Sequence, residues 1–311
     1  MNPLTGIYGA VSSLRNRLFD RGTLTVHRLQ KPVVSVGNLS VGGAGKTPFV
    51  IMLGELLKAR GIRFDVLSRG YGRKTRGVLV VDPNGSASDF GDEPLLIARK
   101  LGVPVVVGES RYQAGRLAEQ KFDVQLHILD DGFQHRSLAR DFDIVLLTER
   151  DFKDQLLPAG RLREPLSALT RADLVIMPAG FAFDNSDIQY KPRCEVKRSL
   201  AVHDSPDRPV AFCGIARPEQ FFAQVRAAGI QPAAQVVFRD HHSYRAADIE
   251  RLKVVREKSG ASGFVTTEKD AINLGPLRSE LAPLAIAGVV LAIFSPAKIL
   301  DAIFQKLAAN G

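Results

Sequence analysis

Val33-Val34-Ser35-Val36-Gly37-Asn38-Leu39-Ser40-Val41-Gly42-Gly43-Ala44-Gly45-Lys46-Thr47-Pro48 decides how the rest of the chain reads. The β-branched run at Val33, Val34 and Val36 predicts a buried parallel strand, and Phe49, Leu53 and Leu56 follow at helical spacing. In the loop between, Gly42, Gly43 and Gly45 free successive backbone N–H groups to turn toward an anion at a helix N-terminus. In such a loop Lys46 reaches the β- and γ-phosphates of a nucleotide and the Thr47 hydroxyl ligates Mg²⁺. The strict spacing G-x-x-x-x-G-K-[ST] asks for glycine at position 40, where this chain has Ser40. The predicted nucleotide cradle is Ser40, Val41, Gly42, Gly43, Ala44, Gly45, Lys46 and Thr47.

Working outward, the 311 residues are 45% hydrophobic and 24% charged, an ordinary globular composition with room for one large or two medium domains. Cys194 and Cys213 show no Cys-x-x-Cys spacing, which excludes a disulfide framework and a zinc site and suits a reduced cytosolic setting. The net charge of +9 and a sequence pI near 9.7 point to an anionic partner: nucleotide, nucleic acid or an acidic membrane. Aromatics are 7% with no Trp, and no basic–aromatic interleaving is present, so no nucleic acid partner is expected. No obligate protein partner is evident either.

Residues 3 to 21 carry Leu4, Ile7, Tyr8, Val11, Leu14 and Leu18 at helical spacing beside Arg15, Arg17 and Arg21. They lack a signal-peptide pattern and are too polar to span a bilayer. A basic amphipathic helix of this kind suits the headgroup layer of an anionic membrane, and equally a helix packed on its own domain.

After the cradle, Phe64 to Ser68 reads as a strand running into a basic loop, where Arg69, Arg73 and Lys74 could clamp a phosphorylated substrate. Short strands at 78–81 and 103–107 flank a helix opened by Gly91-Asp92-Glu93-Pro94, and a further helix follows at 111–119. Gln125 to Leu129 is an apolar strand ending in Asp130-Asp131-Gly132-Phe133-Gln134-His135, the position where such enzymes hold Mg²⁺. Asp130 is the first acid after the run; Asp131 and His135 face the cleft.

Further strands at 143–147 and 173–177 complete an α/β fold, a P-loop NTPase-like doubly wound, mostly parallel sheet over residues 1–182. The polar stretch 180–193 marks a boundary. Residues 183–295 read as a smaller α/β domain, with strands at 209–213, 234–238, 263–267 and 289–294. Residues 296–311 read as a helix returning to the first domain. A bound nucleotide and Mg²⁺ make phosphoryl transfer the natural reaction, with Asp92 and His241 as candidates for handling the acceptor's proton and His242 an open alternative.

Six ordered motifs resemble one family: 36–48, Ser-Arg-Gly-Tyr-Gly (68–72), Gly-Asp-Glu-Pro (91–94), Asp-Asp-Gly-Phe-Gln-His (130–135), Leu-Pro-Ala-Gly-Arg-Leu-Arg-Glu-Pro (157–165) and Thr-Thr-Glu-Lys-Asp (266–270). The set is similar to the tetraacyldisaccharide 4'-kinases, the lipid A 4'-kinases of Gram-negative bacteria, over nearly the whole chain. The resemblance implies transfer of the ATP γ-phosphate to the 4'-hydroxyl of a lipid disaccharide 1-phosphate, as a peripheral protein on the cytoplasmic face of the inner membrane. It implies Asp92 as catalytic base assisted by His241, and Asp130 and Asp131 with Thr47 at the Mg²⁺ site. Gln134, His135, Arg163 and Glu164 would then line the substrate cleft. Ser40 matches the family's own loop, and an acyl-anchored substrate favours the lipid-facing reading of residues 3–21.

Two other readings use the same loop. A metallochaperone-type GTPase would read guanine through Asn/Thr-Lys-x-Asp, yet in Thr267-Glu268-Lys269-Asp270 the lysine stands one place late. A partitioning ATPase would carry a lysine just before the paired glycines, where this chain has Val41.

Overall fold

The computed structural model describes residues 3–181 and 191–310. Helix α1 (Pro3–Asp20) leads into β1 (Val33–Asn38), α2 (Lys46–Ala59), β2 (Phe64–Ser68), β3 (Leu79–Val80), α3 (Ala87–Phe90), α4 (Asp92–Leu101), β4 (Val105–Val107), α5 (Arg111–Lys121), β5 (Leu126–Asp130), β6 (Phe142–Leu146) and β7 (Leu174–Pro178). The C-terminal half comprises β8 (Arg193–Val202), β9 (Val210–Cys213), α6 (Pro218–Ala227), β10 (Ala234–Val237), α7 (Ala246–Ser259), β11 (Phe264–Thr267), α8 (Glu268–Leu274), β12 (Leu284–Ile293) and α9 (Pro296–Asn310).

All these strands join one sheet in the order β10-β9-β11-β12-β8-β7-β6-β1-β5-β2-β4-β3. Neighbours run parallel except at the β3 edge and where β8 meets β12. Strands β1, β2, β4, β5 and β6 are buried along their whole length because helices cover both faces. On one face Phe49, Leu53 and Leu57 of α2 and Leu95 and Ile97 of α4 pack on Val34, Ile128 and Ile144. On the other, Ala114 and Ala118 of α5 meet Leu67, Val106 and Leu129. Each such side chain contributes about 1.5–3 kcal/mol by leaving water. This is the doubly wound arrangement the valine-rich strands predict.

The C-terminal half has clusters of its own. Phe221 and Phe222 of α6 cover Ala211 and Val265, while Ile249 and Leu252 of α7 cover Phe212 and Phe264. Helix α9 then crosses back, burying Ile299, Leu300 and Ile303 with Phe49 and Ile144, and Lys306 pairs with Asp173.

Three elements differ from the sequence expectation. Strand β8 begins where the polar stretch 180–193 ends and is not expected from the sequence, since charged Glu195, Lys197 and Arg198 interrupt Cys194, Val196 and Leu200. In the fold it is a ten-residue ribbon against β12, and β12 starts five residues earlier than expected for the same reason. Pairing rescues what periodicity hides. Glu268-Lys269-Asp270 is the first turn of α8 rather than a loop, capped where the Thr267 hydroxyl accepts the Asp270 N–H at 3.1 Å. The boundary expected at residues 182 and 183 lies outside the described residues.

Helix α1 buries none of its residues. It meets the body through polar contacts: the Tyr8 hydroxyl donates to the Arg163 carbonyl (3.2 Å), Asn16 donates to Glu164 (2.7 Å), and Arg136 donates to the Asn16 carbonyl and to Asp20. Its apolar stripe of Leu4, Ile7, Val11 and Leu14 points outward, each residue 58–62% exposed.

Candidate active site

The functional side chains gather at the C-terminal ends of the parallel strands, where an open α/β sheet leaves a crevice. Gly42, Gly43 and Gly45 all take the left-handed conformation, with φ of 70°, 66° and 85°, so the chain curls over the start of α2. Lys46 Nζ donates to Asn38 Oδ1 at 3.0 Å and lies 3.4 Å from Asp131. Thr47 is buried at the helix start. Arg161 steadies the loop by donating to the Val41 carbonyl at 2.8 Å.

Strand β5 delivers the two acidic residues. Asp131 has a left-handed φ of 51°, unusual for a residue with a Cβ, and is pinned there by Arg163 (2.8 and 3.1 Å) and Lys46. Burial raises its pKa, but those two cations outweigh it and hold the carboxyl below the usual carboxylate range. Asp130 is different. Burial, together with the Glu93 and Asp131 carboxylates, pushes it up to about 7, and Ser68 is its one side-chain donor, at 3.1 Å. Its Oδ1 is buried without a partner. An orphaned carboxylate oxygen near a Thr47 start of helix fits a hard divalent cation, which needs few protein ligands when phosphates and water complete its shell. Among the described residues no cluster of three metal-ligating side chains exists.

Asp92 opens α4 and is 4% exposed. From the C-terminal half, His241 Nδ1 meets its Oδ2 at 2.8 Å and Asn273 donates to the same oxygen at 3.3 Å. Burial opposes ionisation of Asp92, yet the His241 hydrogen bond and the Lys269 charge prevail and lower its pKa; the same contact raises that of His241. His241 also has a left-handed φ, 54°, held by its N–H donating to the Gly214 carbonyl at 3.1 Å. Gly214 is held in turn: the Asp270 carboxylate accepts its N–H and the Tyr244 hydroxyl, both at 2.8 Å. His242 turns away to Asp248 at 3.0 Å, so the geometry selects His241 of the two.

With that geometry in view, the comparisons with known proteins decide the family. A sequence profile described as tetraacyldisaccharide-1-P 4'-kinase (LpxK) matches residues 1–308. The chain belongs to the tetraacyldisaccharide 4'-kinase family. It is 49% identical to the tetraacyldisaccharide 4'-kinase of Koribacter versatilis over 98% of each chain. It is 39% identical to that of Geobacter metallireducens, covering 96% of this chain and 95% of the relative. Among solved structures it resembles the LpxK of Aquifex aeolicus, described as an "apo" form in complex with ATP, with a TM-score of 0.80 and 35% identity over 98% of this chain and 97% of that one.

For this family member the fold brings most of the expected residues together. Arg163 and Gln134 both reach Asn38 beside the loop, and Glu164 is buried against Arg171 (2.7 Å) and Asn16. Burial and surrounding arginines, Arg111 first, lower His135 to about 4, so it is a neutral imidazole. Arg69 is exposed and shares that electrostatic neighbourhood with Arg111 and His135. Arg73 stands apart: its side chain is 3% exposed and bound to Glu109 (2.7 Å) and the Gly77 carbonyl (2.6 Å), bracing its own loop. Sequence reasoning passed over Asn38, Arg111, Lys269 and Asn273. Lys269, which pairs with Glu93 beside Asp92, had a visible signal as a lone cation at a strand end; Asn273 had none.

Proposed function

We propose that this protein transfers the γ-phosphate of ATP to the 4'-hydroxyl of a tetraacylated disaccharide 1-phosphate in lipid A synthesis. The observation that carries the reading is the contact of Asp92 with His241, two groups 149 residues apart, with His241 also lining the cleft that Lys46 borders. Asp92, kept ionised, accepts the proton of the sugar hydroxyl, and His241 orients the carboxylate and steadies its charge. Lys46 and the loop N–H groups hold the nucleotide's phosphates. Thr47, Asp130 and Asp131 stand where Mg²⁺ would be held; when bound, that ion neutralises charge on the β- and γ-phosphates. Arg163, Gln134, His135, Glu164 and Arg69 form the polar wall for the disaccharide, whereas Arg73 serves the loop.

The acceptor's acyl chains stay in a bilayer, so the enzyme works at its surface. The outward stripe of α1, its flanking arginines and the net charge of +9 support peripheral attachment to an anionic leaflet, which we place at the cytoplasmic face of the inner membrane. Among the described residues no helix is long and apolar enough to cross a membrane.

The deciding experiment incubates the protein with γ-labelled ATP, Mg²⁺ and the disaccharide 1-phosphate and separates the lipids. Label in a bisphosphorylated lipid is expected. ATP hydrolysis or nucleotide-dependent dimerisation with no labelled lipid would overturn the reading.

A further inference from the structure

Two arginines of the C-terminal half sit against the glycine loop without an ion-pair partner among the described residues. Arg198, on β8, has its Nη1 3.9 Å from where a Cβ on Gly45 would lie, and Arg217, just before α6, has its Nε 2.7 Å from where one on Gly43 would lie. Neither forms an ion pair with any described carboxylate, and the Nε of each is buried with no hydrogen-bond partner. Arg217 donates to the Gly42 carbonyl at 3.3 Å and to nothing else among the described residues. Asp151 is the acid whose charge reaches Arg217, but Thr148 already claims its carboxylate, through N–H at 2.7 Å and hydroxyl at 3.0 Å. Around Arg217 stand more cations, Arg161, Arg150 and Arg198, and burial lowers the pKa of both Arg198 and Arg217.

Half-buried guanidinium groups with no ion-pair partner among the described residues are costly, and a protein retains them where an anion arrives from outside. The loop they border already presents backbone N–H groups to an anion. We propose that Arg198 and Arg217 bind the polyphosphate of the nucleoside triphosphate, closing over the glycine loop from the C-terminal half. This rests on the nucleotide reading above and adds to it. The triphosphate is then gripped from both halves, by Lys46 from one and by two planar guanidinium forks from the other. Nucleotide binding thereby stabilises the same approach of the halves that brings His241 to Asp92.

The test uses full-length protein and three single variants, Arg198→Gln, Arg217→Gln and Lys46→Ala, measured by titration calorimetry with ATP and by thermal melting with and without inorganic tripolyphosphate. Each arginine variant is expected to weaken ATP binding about 10- to 100-fold, the loss typical of a hydrogen bond to a charged group. The nucleotide-free melting temperature should equal or exceed that of wild type, because an unpaired buried charge has been removed. Tripolyphosphate should raise the melting temperature of wild type more than that of either variant. Arg198→Lys, which keeps the charge but not the fork, should fall between.

Unchanged ATP affinity, or weakened affinity together with a lowered nucleotide-free melting temperature, would overturn the proposal; the latter pattern marks a merely structural role. Lys46→Ala separates this from the reading beneath it. If Lys46→Ala loses ATP while the arginine variants keep it, only the present inference falls. If wild type itself binds no ATP, both fall.

Discussion

Asp92 and Asp130 are the same residue type, 4% and 2% exposed, one beside Glu93 in sequence and the other within reach of its charge, yet their surroundings treat their charges in opposite ways. Around Asp92 the C-terminal half supplies His241, Asn273 and the Lys269 cation, and its carboxyl stays ionised below the usual range. Around Asp130 the N-terminal half supplies burial, two further carboxylates and one hydroxyl, and the carboxyl is pushed up to about 7. The difference teaches that the protein's own groups offset the burial of Asp92 and do not offset that of Asp130. Asp92 is held ionised by groups of the C-terminal half, as the proposed base must be. Asp130 is a buried acid whose burial and carboxylate neighbours outweigh the charge of Lys46.

The sharpest way to break that contrast is to remove each charge at constant shape. Asp92→Asn should lower turnover about 10²- to 10⁴-fold, the range for a general base, while ATP affinity measured by calorimetry stays within about twofold. A variant keeping most of its turnover would mean Asp92 is not the base. Asp130→Asn should separate stability from activity. The folded pKa of Asp130 lies above its unfolded value near 4, so the metal-free protein binds the extra proton between about pH 4 and pH 7 and loses that stability as pH rises through 7. Melting curves from pH 5 to 8 should therefore show wild type falling faster than Asp130→Asn, and Mg²⁺ with ATP should raise the wild type more than the variant. Parallel curves for the two proteins would remove the contrast.

His241 tests the other side of the comparison with a smaller effect. His241→Ala should cost about 10- to 100-fold in turnover, because Asp92 remains but loses its orienting donor. The contact favours ionised Asp92 and protonated His241. Its support is present above the usual aspartate pKa and below the usual histidine pKa, near 6.5, and fades as pH rises through the raised value of His241. The alkaline fall in wild-type activity should therefore be absent from the His241→Ala profile. An identical alkaline limb in both proteins would assign it to another group.

The two halves were also unequally legible. In the N-terminal half, one strand type and one glycine pattern made the core, the loop and the two acids at the end of β5 readable together, because parallel buried strands leave continuous apolar runs. Strand β8 was hidden, since its charged residues face outward between apolar ones and its partner β12 lies some ninety residues on. The Asp92–His241 contact was suggested by motif resemblance, but its supports were not: Asp270 holding Gly214 and Tyr244, and Asn273 on the far side of Asp92, depend on how α8 sits. Arg73 shows what a basic run hides, since its side chain pairs with Glu109 and the Gly77 carbonyl within its own loop.

Helix α1 extends the comparison beyond the cleft, because its charges and its apolar groups face opposite ways from those of a helix packed on a core. Its polar face is occupied by Arg163, Glu164 and Arg136, and its stripe of Leu4, Ile7, Val11 and Leu14 meets solvent. Exposed leucine-type side chains destabilise nothing when removed, so Ile7→Ser with Leu14→Ser should leave the melting temperature within about 1 °C. Burying those two side chains in a headgroup layer would contribute about 1.5–3 kcal/mol each, so the double variant should bind anionic vesicles at least tenfold more weakly. Turnover of a detergent-dispersed acceptor should change little, since the stripe touches neither Asp92 nor the glycine loop. Equal vesicle partition of variant and wild type would leave α1 as a brace for Arg163 and Glu164, and attachment would have to come from another surface.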